Sequence, residues 1–318
     1  MKKLAVVAFG GNAILRDNQE GTIEQQEQNT TDTLENLIFL IKSGYNLVIT
    51  HGNGPQVGNI LLRNDAGEQL YNIPQMPVDI CVADSQGGIG YMIERMLRNV
   101  LNKHNIRKEV VTLVTMAVVD HKDPAFIEPV KRIGKIYNKE EADKLARDKG
   151  WIFKEEIKDI KGWRRVVPSP APVRIINEKV IQLLARQGTI VIATGGGGVP
   201  VYMDDQHNVR PAEVVVDKDL ASALMAARIG ADEFYILTDV DYVYLNYKKP
   251  DQEIAEFLNY DDALRYLNEG QFAEGSMAPK VRACLQFVKQ GGRKSVITEA
   301  KKLEDKRYGT KITMEYED

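Results

Sequence analysis

Apolar positions along the 318-residue chain fall into two alternating rhythms. In "LENLIFLIKSGYNLVIT", Leu34, Leu37, Ile38 and Ile41 share one helical face, Gly44 marks the stop, and a short apolar run over 46–50 follows. The same helix, glycine, strand unit recurs in "INEKVIQLLARQGTIVIAT" with Gly188, in "LASALMAARIGADEFYILT" with Gly230, and in "VRACLQFVKQGGRKSVIT" with Gly291 and Gly292. Runs such as 190–193 and 235–237 are apolar on both faces, as suits parallel strands covered by helices on each side. The pattern predicts an α/β fold with an open, mostly parallel central sheet sandwiched by helices.

One interval breaks the rhythm. Residues 120–172 are rich in charge and proline, hold both tryptophans, and lack the repeating unit, so they read as an inserted, protruding subdomain that moves over a substrate. In open sheets of this kind ligands bind beyond the carboxyl ends of the strands, which directs attention to the loops there. Those loops are "FGGNAI", "HGNGPQVG", "GGGGVPV" and "TDVDYVY", three of the four built of glycine.

Composition narrows the chemistry. The chain is 43% hydrophobic with a formal net charge of -3, and its acids and bases are interspersed, so no basic face advertises nucleic acid. No apolar stretch reaches the roughly 20 residues of a membrane span, and residues 1–4 lead straight into a strand without a signal-peptide pattern; the expectation is a cytoplasmic protein. Cys81 and Cys284 sit singly in apolar patterns and read as core residues, and the four histidines show no zinc spacing.

Glycine loops at strand ends let several backbone amides face one anion, with a following helix adding its positive end. In "HGNGPQVG", Gly52 and Gly54 form the turn and Pro55 is expected at the first helical position. A tight turn would account for one glycine pair; three such loops, and four successive glycines at 195–198 that supply no buried side chain, ask for something that approaches the backbone closely. The spacing GxGxxxG departs from the dinucleotide fingerprint, and no Walker loop is present. Lys218 between Asp217 and Asp219, and Lys280 in the first turn of another helix, oppose the helix dipole, while Lys131 lies beside Gly134 in the insertion. Together with the glycine loops these lysines form a set suited to polyphosphate.

The segments "FGGNAI", "HGNGPQVG", "SQGGIGYM", "DPAF" followed by "PVKRIG", "RRVVPSP", "TGGGGVPV", "VVDKDLA", "LTDVDYVY" and "GSMAPKV" follow the order and approximate spacing of the carbamate kinases of the amino acid kinase superfamily, which the whole chain resembles. The resemblance implies a single amino acid kinase domain over 1–318. In it 1–210 would bind carbamate or carbamoyl phosphate, 120–172 would form the lid, and 211–318 would bind the nucleotide. It implies reversible phosphoryl transfer between ATP and carbamate, often run toward ATP formation in arginine catabolism, with Mg2+ as cofactor and a homodimer as the assembly. By motif, Gly10, Gly11, Asn12, Gly52, Asn53 and Gly54 would hold the acceptor and the moving phosphoryl group. Lys131, Lys218 and Lys280 would neutralise its charge, with Asp219 orienting the lysines. Gly197, Gly198, Asp239, Val240, Tyr244, Ser276, Met277 and Lys280 would serve the nucleotide. The metal ligands stay unassigned. Val130 and Arg132 depart from the family's usual threonine and proline beside Lys131, which affects substrate affinity more than reaction class. Another acyl-phosphate kinase, such as one acting on acetylglutamate, and a non-catalytic nucleotide-binding homologue are the alternatives.

Overall fold

A computed structural model describes residues 2–16, 19–156, 161–305 and 308–315. The chain opens with β1 (Leu4–Phe9), α1 (Ile23–Lys42), β2 (Asn46–His51), α2 (Gln56–Tyr71), α3 (Val78–Lys103), β3 (Val110–Thr112) and β4 (Met116–Val119). It continues through β5 (Lys131–Tyr137), α4 (Lys139–Lys149), β6 (Ile152–Glu155), β7 (Trp163–Val167), β8 (Pro172–Ile175), α5 (Glu178–Arg186), β9 (Ile190–Ile192), β10 (Val199–Met203) and β11 (Val209–Pro211). It closes with α6 (Lys218–Arg228), β12 (Glu233–Thr238), β13 (Val243–Leu245), β14 (Glu253–Ala255), β15 (Phe257–Asn259), α7 (Tyr260–Asn268), α8 (Met277–Lys289), β16 (Lys294–Glu299) and β17 (Thr310–Thr313).

Eight strands form the central sheet in the order β15-β17-β16-β12-β1-β2-β9-β3. Pairing is parallel throughout except between β16 and β17. β1 lies in the middle with all six residues buried, and its alternation feeds two cores at once. Leu4, Val6 and Ala8 join the layer with α6 and α8, while Ala5, Val7 and Phe9 join the layer with α1 and α3. The helix stops fall where the glycines predict them: Gly44, Gly188, Gly230 and Gly291 all take positive φ. At the other end of α1, Thr22 and Gln25 form a reciprocal capping box. Among the described residues no helix is long and apolar enough to cross a membrane.

A second, four-stranded sheet runs β11-β10-β4-β8, and β4 pairs antiparallel with β8. The chain between these two neighbours builds a separate three-stranded antiparallel sheet, β5-β7-β6, with α4 beside it; residues 157–160 of this stretch lie outside the described set. Its two tryptophans carry cations on their faces, Arg165 over Trp151 at 3.9 Å and Lys139 over Trp163 at 4.1 Å. Val57 and Leu61 of α2 pack with Ile133 and Val167 of this subdomain and with Val78 and Val82 of α3. Lys149 adds an ion pair to Glu68 at 2.7 Å, and the Tyr137 hydroxyl donates to Asp65 at 3.3 Å.

Candidate active site

The cleft lies at the carboxyl ends of β1, β12 and β16, as the parallel topology requires. It has a volume of about 670 Å³ and is lined by Gly10, Gly11 and Asn12 after β1, by Asp217 and Asp219 at the start of α6, by Asp239 after β12, and by Ser276 and Lys280 at the start of α8. Two helix N-termini therefore point at one space, a field that favours anions.

Asp217 caps α6, its Oδ1 accepting from the amides of Asp219 and Leu220. Of the two residues that follow, Asp219 lines the cleft, whereas Lys218 lies outside its lining and is tied to it through Asp219. Asp219, 4% exposed, spans two lysines: Lys218 Nζ donates to Oδ1 at 2.6 Å and Lys280 Nζ to Oδ2 at 2.9 Å. Burial works to raise the Asp219 carboxyl, but the charges of Lys218 and then Lys280, with their hydrogen bonds, outweigh it and hold the group at about 2. Burial lowers the Lys218 ammonium from its ordinary value, opposed by Asp219. Lys131, the first residue of β5, brings a third ammonium from the subdomain to 4.0 Å from Asp217 Oδ2, with its side chain still 45% exposed. The three lysines thus come together around two carboxylates, although 87 residues part Lys131 from Lys218 and 62 part Lys218 from Lys280.

The loop after β2 supplies donors. Among the described residues the amides of Gly52, Asn53 and Gly54 donate to no acceptor, while the Asn53 carbonyl accepts from Val57 at 2.7 Å as α2 begins. Pro55 precedes α2 as its cap residue, one position before the place expected from the sequence, and the Gly54–Pro55 peptide is cis. The Lys218 stem passes closely over Gly52: a Cβ there would lie 3.1 Å from Lys218 Cδ, so a side chain would press on that stem. His51 is buried, and its Nδ1–H donates to the Gly52 carbonyl at 2.7 Å. Burial, then the nearby Lys218 charge, push that imidazole down to about 4 against the pull of this bond, so it is neutral at pH 7.

Several expected residues stand outside the cleft lining, among them Gly52, Asn53, Gly54, Lys131 and Lys218. Gly197 and Gly198 are buried against the protein itself; a Cβ on the first would meet the Val216 carbonyl at 2.6 Å and on the second the Ala117 side chain at 2.8 Å. Val240 and Met277 adjoin lining residues along the chain but fall outside the set, and Tyr244 stands farther along, its hydroxyl donating to Asp241 at 3.1 Å. Conversely, the cleft includes groups that sequence reasoning missed: Asp32 and Asn36 of α1, Arg16 paired with Asp32 at 2.8 Å, Glu299 at the end of β16 and Lys301 just past it. The strand-end rule alone would have found the last two; polar residues beside an apolar helical face gave no signal for the α1 pair.

The chain matches the amino acid kinase family over residues 3–299. It is 45% identical to the carbamate kinase of Pyrococcus horikoshii over 98% of this chain and 100% of that one. It is 48% identical to the carbamate kinase of Thermococcus kodakarensis over 93% of each. Among solved structures it superposes on carbamate kinase from Giardia lamblia bound to AMP-PNP with a TM-score of 0.92 and 39% identity, covering 98% of both chains.

Proposed function

The chain belongs to the amino acid kinase family, among its carbamate kinases, and from that premise we propose that it catalyses the reversible transfer of a phosphoryl group between ATP and carbamate. The observation that carries this reading is the pair of lysines spanning Asp219, with Lys131 beside them, at the rim of a cleft edged by glycine loops. Both acceptors, the carbamate oxygen and the terminal oxygen of ADP, are already anionic, so the transfer needs no general base. What it needs is alignment and neutralisation of charge on the three phosphoryl oxygens. Free amides of the loop Gly52–Gly54 and the turn Gly10–Asn12 would hold the carbamoyl end. Lys218 and Lys280 would face the migrating group, their positions set by Asp219. Lys131 would complete the set from the subdomain, which would act as a lid. The side of the cleft formed by Asp239, Ser276 and α8 would take the nucleotide.

Magnesium fits this site only as a companion of the phosphates. Among the described residues no three His, Cys, Asp or Glu side chains stand close enough to hold a metal by themselves, and both Asp219 oxygens already serve lysines. Asp217 and Asp239 are the cleft carboxylates that would touch a phosphate-bound ion, which when present would offset phosphate charge. The test is ATP formation from ADP and carbamoyl phosphate, read by luciferase. ATP made at a steady rate is expected. Turnover of acetylglutamate with no use of carbamoyl phosphate would replace this reading with the other acyl-phosphate chemistry.

A further inference from the structure

The four glycines at 195–198 asked for something that approaches the backbone closely, and the protein's own atoms fill the space that they leave. We infer that Gly195 and Gly196 are positioning residues: they form a socket in which His51 and Asn53 seat, and that seating aims the free amides of the substrate loop. The inference rests on the phosphoryl-transfer reading above and assigns the quartet its part in it.

The fit is tight at both positions. A Cβ on Gly195 would stand 2.5 Å from Cε1 and Nε2 of His51 and 3.0 Å from Gln86 Cγ, and one on Gly196 would stand 2.3 Å from Asn53 Nδ2. Neither neighbour is the loose end of a long chain. His51 is 1% exposed and bonded to the Gly52 carbonyl, and Asn53 is 9% exposed with its Nδ2 donating to Ser85 Oγ at 3.3 Å. The socket is itself anchored. Thr194, held at φ +55°, donates its amide to Thr115 Oγ1 at 3.1 Å, and Gln86 of α3 clamps the Thr115 backbone through bonds of 2.9 and 3.0 Å.

Alternation along the extended loop then sorts its residues. Positions 51 and 53 face the socket, and position 52 between them faces the Lys218 stem. The Gly52 carbonyl is tied to His51, and in a trans peptide the Asn53 N–H points the opposite way, so the imidazole sets the direction of that donor. Its neutral state keeps another positive charge from standing beside Lys218.

The experiment is a cycle built on Gly195→Ala, a position without positive φ where the nearest atoms to the methyl group belong to His51 and Gln86. A displacement on the ångström scale predicts a fall in kcat of about 100-fold with carbamoyl phosphate. ADP binding by calorimetry should change by less than about twofold, since the socket lies away from the nucleotide side. In the pair Gly195→Ala with His51→Ala, the loss should be close to that of His51→Ala alone, because the clash has been removed. Losses that multiply as independent effects would overturn the proposal, as would an unchanged kcat in Gly195→Ala. The His51 Nδ1–H proton, held by its bond to the Gly52 carbonyl, reads the same geometry by NMR without any turnover, and its resonance should shift or vanish in Gly195→Ala. If the wild type does not use carbamoyl phosphate, this arm still decides the socket while the function falls separately. Should Gly195→Ala not fold, His51→Asn, whose amide reproduces the Nδ1–H donor, should keep roughly tenfold more kcat than His51→Gln; equal losses would count against the positioning role.

Discussion

Asp219→Asn removes one charge from the centre of the site while keeping its shape, so its consequences can be worked out in advance. Held at about 2 against an ordinary 3.8, the carboxylate contributes roughly 2 kcal/mol of folding stability at neutral pH, at about 1.4 kcal/mol per tenfold in proton affinity. The side chain is buried, so solvent screening takes little from this figure. A second route to the magnitude is the removal of one member of a buried ion pair, which costs about 3–5 kcal/mol because the other is left uncompensated. Here two ammonium groups would face a neutral amide, and Lys218, already lowered by burial, would shed its proton more readily. The expected loss of stability at pH 7 is therefore about 2–5 kcal/mol, with kcat down by about 100-fold as the lysines lose their alignment. Because the folded carboxyl titrates below the unfolded one, its contribution is complete above about pH 4 and is lost as pH falls through about 2. Urea denaturation of wild type and variant from pH 7 down to pH 3 should show the gap between them narrowing in acid. A variant within about 0.5 kcal/mol of wild type at pH 7, or a gap that stays constant as the pH drops, would refute the reasoning.

Lys131→Ala should lower kcat by about 100-fold and leave urea stability nearly unchanged, because the side chain is half-exposed and its approach to Asp217 is loose; steady-state rates and denaturation midpoints check both halves. Burial pushes the Cys81 and Cys284 thiols up to about 11 and about 12, so a thiolate-specific disulfide reagent at pH 8 should label the native protein slowly and both cysteines at once in denaturant, and rapid native labelling would contradict their burial.

The elements that the sequence revealed are those that local chemistry fixes. Gly44, Gly188, Gly230 and Gly291 end helices because a left-handed residue is needed there, and a run such as 4–9 is apolar on both faces because helices cover both sides of β1. The second sheet was not legible, since its strands are short and β4 meets β8 and β10 across long stretches of chain. The site divides in the same way. Lys218 and Lys280 were visible as lysines at helix starts, where the dipole disfavours them, whereas Asp32 and Asn36 reach the cleft only through the crossing of α1 over the strand ends. The glycine quartet shows the limit most clearly. Its composition announced a close approach, but whether a ligand or His51 and Asn53 made that approach was a matter of tertiary distance alone.

Helix α2 has no fully buried residue, yet it joins two parts of the molecule that have separate tasks. Its first turn grows out of the loop at Asn53, and its outer length carries the subdomain through Val57, Leu61, Asp65 and Glu68. Such a rod transmits tilt. If the subdomain bearing Lys131 acts as the proposed lid, its swing would be handed back along α2 to the amides at the root of that helix, and the arrival of the third cation and the tightening of the proposed acceptor pocket would become one mechanical event.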